Sequence, residues 1–78
     1  MYNFIKLTTY VEGTQIWVNK NYIIQIEEIR NNNGTKVTLD GGNNILVRIV
    51  KESVEDVMKL INMPYYPFDY DADLKPSV

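Results

Sequence analysis

Four clusters of turn-forming residues cut the first fifty positions into segments too short for stable helices. They are Glu12-Gly13, Asn19-Lys20-Asn21, Asn31-Asn32-Asn33-Gly34 and Asp40-Gly41-Gly42-Asn43-Asn44. Glycine, asparagine and aspartate tolerate the positive φ that tight hairpin turns need. Four turns delimit five extended segments. That spacing is the mark of an antiparallel β meander, in which neighbours in sequence pair in space.

Alternation within the segments agrees. Across residues 4–10, Ile5 and Leu7 alternate with Lys6 and Thr8. Across residues 14–18, Ile16 and Val18 share a face and Trp17 takes the other. Residues 22–30 put Ile24 and Ile26 on one side with Gln25 and Glu27 opposite. Residues 35–39 put Val37 and Leu39 together against Lys36 and Thr38. Each pattern fits a sheet with one buried face. The fifth segment, residues 45–50, is almost continuously apolar, and its length and β-branched content favour a strand. Such a ribbon can be covered on both faces, with Leu46 and Val50 meeting a helix or a second subunit.

The period then changes. Ser53 followed by Asp56 resembles a capping box, and Glu52, Glu55 and Asp56 suit the positive end of a helix dipole. Val54, Val57, Met58 and Ile61 fall on one helical stripe with Leu60 beside it, and Pro64 ends the pattern. The spacing predicts a helix over about residues 54–61, too short to stand alone and therefore packed on the sheet. The expected domain, residues 1–63, is mainly β (α+β). It is a five-stranded antiparallel meander or a small open barrel with one C-terminal amphipathic helix. Residues 64–78 form an aromatic and acidic tail. An open sheet would leave edge strands in need of cover, which invites self-association.

Composition narrows what such a domain does. At 78 residues the chain is one domain with a thin core. It has no cysteine, so no disulfide or zinc supplements that core, and this usage suits a reducing cytoplasm. No apolar run approaches the roughly 18 residues of a membrane span, and no basic-then-apolar leader is seen, so neither a span nor a signal peptide is expected. Asn33-Gly34-Thr35 matches a glycosylation acceptor but reads as a turn.

Histidine is absent as well as cysteine, which removes the usual catalytic bases and nucleophiles. Glu27 and Glu28 are adjacent on a strand, so they point to opposite faces and do not converge. Asp69, Asp71 and Asp73 alternate, but they lack the glycine bend and distal carboxylate of a calcium loop. No catalytic residue, metal site or cofactor is expected.

Residues 1–63 carry seven basic and seven acidic side chains, so the net charge of −2 resides in the tail. Phosphate contacts dominate nucleic-acid affinity, and a neutral domain offers few. Aromatics such as Trp17, Tyr10, Tyr22 and Tyr2 can nonetheless stack bases. If nucleic acid is bound, Trp17, Lys36 and Arg48 are the candidate contacts.

The tail offers a different chemistry. Tyr65, Tyr66, Phe68 and Tyr70 are a large apolar payload held semi-rigid by Pro64 and Pro67. They either dock onto a neighbouring subunit or partner, or fold back over the domain's own apolar surface. With Leu46 and Val50 they form the candidate partner-binding set.

Several stretches taken together are familiar. Ile5-Lys6-Leu7-Thr8 is followed by Val18-Asn19, then Ile24-x-Ile26-Glu27-Glu28, then Thr35-x-Val37-x-Leu39 and a glycine turn. Val50-Lys51-Glu52-Ser53-Val54-Glu55-Asp56-Val57 closes the pattern. Over about residues 4–61 this resembles the FlbD family of small bacterial proteins. That resemblance implies a cytoplasmic protein linked to flagellar motility, with no enzymatic activity and no catalytic residues to carry over. A weaker likeness is to the longer and more basic LytTR DNA-binding domain. The functional expectation is a non-catalytic accessory protein that binds another protein or assembles with itself as a homo-oligomer. The alternative is a nucleic-acid-binding regulatory domain.

Overall fold

In the computed structural model, which describes residues 3–63, the turn clusters separate five strands. They are β1 (Phe4–Thr8), β2 (Gln15–Asn19), β3 (Ile23–Glu28), β4 (Thr35–Asp40) and β5 (Ile45–Val50), and a helix, α1 (Val54–Asn62), follows. Short 3₁₀ turns at Lys20–Tyr22 and Arg30–Asn32 connect β2 to β3 and β3 to β4. All strand pairing is antiparallel, and the fold is mainly β with one C-terminal helix.

The strands form two sheets, β1-β2 and β3-β4-β5, that do not close into a barrel. The β2–β3 pairing that a continuous meander implies is replaced by the Lys20–Tyr22 turn, which leads the chain from one sheet to the other. The sheets meet instead where the end of β1 reaches the end of β5. Thr9 bridges Val50, the Tyr10 amide donates to the Ile49 carbonyl at 2.9 Å, and the Lys51 amide donates to the Thr8 carbonyl at 2.8 Å.

A polar clamp locks that corner. The Glu52 carboxylate accepts from the Thr8 amide and from the Thr8 hydroxyl, both at 2.9 Å. The Glu52 carbonyl accepts the hydroxyl of Thr35 at 2.6 Å, and Thr35 is fully buried. One residue thus ties β1, β4 and the entrance to α1 together. Gly34 completes the corner with φ +104°, and a Cβ there would lie 2.5 Å from the Val50 carbonyl oxygen. Only a residue without a side chain fits that approach.

The core lies between the sheets and under α1. It comprises Ile5 and Leu7 from β1, Val18 from β2, Val37 from β4, Val50 from β5 and Val57 from α1. The alternation read in β1, β2 and β4 is the alternation observed. Segment β3 departs from it: a register irregularity between Ile23 and Gln25 puts Ile23 and Ile26 against the core and leaves Ile24 55% exposed. A bulge inserts one residue into the period of two, so Ile24 no longer shares a face with Ile26.

The helix starts as expected, with the Ser53 hydroxyl accepting from the Asp56 amide at 3.1 Å. Its packed stripe is Val57, Leu60 and Ile61, and Met58 is exposed. The Lys20 ammonium donates to the carbonyls of Ile61 and Met63 at 2.9 and 3.0 Å. A cation at a helix C-terminus satisfies otherwise orphaned carbonyls and opposes the dipole.

The clamp has a measurable weight. Glu52→Ala removes two hydrogen bonds and strands a part-buried amide, so urea unfolding is expected to show a loss of about 1–3 kcal/mol. Gly34→Ala, which combines unfavourable φ with a backbone clash, is expected to lose at least about 1–3 kcal/mol. Wild-type midpoints for both variants would show that the corner does not hold the sheets.

Candidate functional site

Away from the bonded corner the two sheets splay, and a groove of about 320 Å³ opens between them. Strand β2 contributes Ile16, Trp17, Val18 and Asn19, the following turn contributes Tyr22, and β4 and β5 contribute Leu39, Asp40, Leu46 and Arg48. Alternation explains the β5 members. Val37 lies opposite Arg48, and Leu39 lies opposite Leu46, so Leu46, Arg48 and Val50 share the core-side face of β5. Val50 is buried in the core, whereas Leu46 and Arg48 line the groove.

The other face of β5 carries Ile45, Val47 and Ile49. Ile45 is 57% exposed and Val47 44% exposed. Across from them on β4 stand Asp40, Thr38 and Lys36, so the apolar stripe is confined to β5. Among the described residues that strand is an edge of its sheet, bridged to β1 only at its C-terminal end. Ile49 and Lys51 use their backbone groups toward β1, and the same parity turns the backbone groups of Ile45 and Val47 outward. Arg48 bends back so that its guanidinium donates to the Val47 carbonyl at 3.2 Å, which occupies one of those outward acceptors.

The candidate residues therefore separate. Leu46, Trp17 and Arg48 come together in one groove, although they stood in different functional sets in the sequence reading. Val50 does not belong to a partner surface: it is fully buried in the core cluster. Lys36 lies apart from the groove on the opposite face of β4, directly across from Glu27 on β3 and Ile49 on β5. An acid in register with that lysine offsets its charge. Tyr65, Tyr66, Phe68 and Tyr70 lie outside the described residues.

Trp17 and Lys6 are opposite one another on the β1-β2 hairpin, and the Lys6 ammonium sits 5.3 Å from the centre of the indole ring. That distance is within the range of a cation–π contact, which holds the ring against its strand. Tyr10, by contrast, packs at the corner near Gly34. Tyr22 and Leu39 are groove residues that the sequence reading did not single out as a pair. Only the splay of the sheets brings them together.

Among the described residues no group of three or more histidine, cysteine, aspartate or glutamate side chains is placed to hold a metal ion. No helix among them is long and apolar enough to cross a membrane. Comparison of the chain with family models, with curated proteins and with solved structures finds no match.

The groove and stripe residues are expected to contribute little to folding despite being apolar. Leu46→Ala and Val47→Ala are expected to change stability by less than about 1 kcal/mol, against roughly 2–5 kcal/mol for the buried Leu7→Ala. Parallel urea titrations of the three variants test this. Equal losses would make Leu46 and Val47 core residues rather than a free surface.

Proposed function

We propose that this protein is a non-catalytic accessory module that works by binding another protein chain, in the first instance a second copy of itself. One observation carries the reading. Strand β5 presents an apolar stripe, Ile45 and Val47, along a sheet edge whose backbone groups point outward. An edge of this kind is a template for an added strand, with backbone hydrogen bonds giving affinity and alternate side chains giving specificity. The apolar side chains there contribute little to the core, and exposed apolar patches of this sort mark interaction surfaces. The resemblance of residues 4–61 to the FlbD proteins supports the bacterial cytoplasm as the setting and flagellar motility as the process.

Nucleic-acid binding in a regulatory setting is a second reading, favoured by the convergence of Trp17 and Arg48 in one groove. Asp40 in the same groove and Glu27 across from Lys36 weaken it. A mobility shift at low salt that vanishes as salt rises would favour it, because phosphate contacts release counterions.

Light scattering on the full chain decides the leading reading. The expected mass is at least twice 9.1 kDa at high protein concentration, falling to the monomer on dilution. Val47→Lys, which adds a charge at the edge, is expected to weaken that association about tenfold or more. A monomer at every concentration, or an assembly indifferent to Val47→Lys, overturns self-association through β5.

A further inference from the structure

We infer that the groove between the sheets is occupied by the tail of the same chain, with the aromatic segment at residues 65–70 lying between Ile16 and Leu46. Three observations point there. The first is where the described chain ends. The Lys20 ammonium holds the carbonyls of Ile61 and Met63, and Lys20 follows directly on the groove residue Asn19. The chain thus leaves α1 one lysine side chain away from the mouth of the groove.

The second is length. The seven residues 64–70 span at most about 25 Å when extended, and a strand of six residues such as β5 measures roughly 17–20 Å. The segment is long enough to traverse the groove and too short to wander far from it. A link this short gives an effective concentration of the order of millimolar, so modest contacts suffice to dock it on its own domain.

The third is chemistry. The groove offers apolar walls from Ile16, Leu39 and Leu46, and one cation at Arg48. Residues 65–70 supply Tyr65, Tyr66, Phe68 and Tyr70, and Asp69 and Asp71 flank the last of these. Aromatic rings match the walls, and a carboxylate matches the guanidinium. Asp40, the acid of the groove, is turned toward its own hairpin, where its carboxylate accepts the Gly42 amide at 2.9 Å. The outer stripe of Ile45 and Val47 is on the opposite face of β5, so a docked tail leaves it open. The inference accordingly stands apart from the proposed association through that edge.

The test uses the full chain, which has no cysteine, so Ala72→Cys supplies a single attachment site for a nitroxide. In an isotope-labelled sample the expected result is selective loss of the Ile16, Leu39 and Leu46 methyl signals relative to the reduced label. A mixture of spin-labelled unlabelled chains with isotope-labelled native chains is expected to leave those signals intact. Full-strength groove signals in the first sample overturn the docking. Equal loss in the mixture overturns docking on the same chain and assigns the groove to the tail of a second copy. As a check without a probe, replacing Tyr65, Tyr66, Phe68 and Tyr70 together by serine is expected to shift the Ile16, Leu39 and Leu46 resonances and leave Val57 in place. Unmoved groove resonances overturn the inference.

Discussion

Everything in this domain hangs on the corner where β1 meets β5. A chain of this size has few buried side chains, and the described core rests on six fully or nearly buried apolar residues. Those six come from both sheets and from the helix, so they pack only if the sheets are held at a fixed angle. Three backbone and side-chain bonds to Thr8 and one to Thr35 fix it, all made by Lys51 and Glu52. Gly34 allows the close backbone approach that brings β4 up to the same point. The polar clamp is therefore what permits so small an apolar core to close.

Strand β5 shows how one apolar run serves two ends. Its C-terminal residue Val50 is fully buried in the core, while its N-terminal half is exposed among the described residues. The helix that follows packs on β1 and β3 rather than along β5, so it leaves the strand's N-terminal half uncovered by α1. Apolar side chains upstream are consequently left on view. Two devices limit indiscriminate pairing there. Arg48 is a charge on the inward face of an edge strand, and its guanidinium occupies the Val47 carbonyl. Specific association remains open to a partner strand that offers the right side chains at alternate positions.

Much of the fold was legible because it is governed by local rules. The turn clusters placed the strands, the period of two placed Ile5, Leu7, Val18 and Val37, and Ser53 with Asp56 placed the start of the helix. What was not legible depends on tertiary approach. The bulge at Ile24 has no signature in an otherwise regular alternation. Glu52 read as a charge favourable to a helix dipole, and nothing local says that its carboxylate reaches Thr8, which is 44 positions away. Buried Thr35 looked like an ordinary strand residue for the same reason. The nearly continuous apolar run of β5 could not show which half is covered, and so Val50 was grouped with Leu46.

The groove follows from the same tertiary choice. A five-stranded meander that paired β2 with β3 would have brought Ile16 and Val18 against neighbouring strands and closed the space. Here the chain spends Lys20–Tyr22 on a 3₁₀ turn instead, so the sheets are joined at one corner and apart at the other. The turn that prevents closure also supplies Lys20 to the end of α1 and Tyr22 to the groove wall. The opening between the sheets and the point at which the tail departs are therefore set by one three-residue segment. An apolar opening in a domain with so thin a core favours an occupant, and because Lys20 holds the Met63 carbonyl near that opening, the proposed docking of the segment that follows carries a small entropic cost.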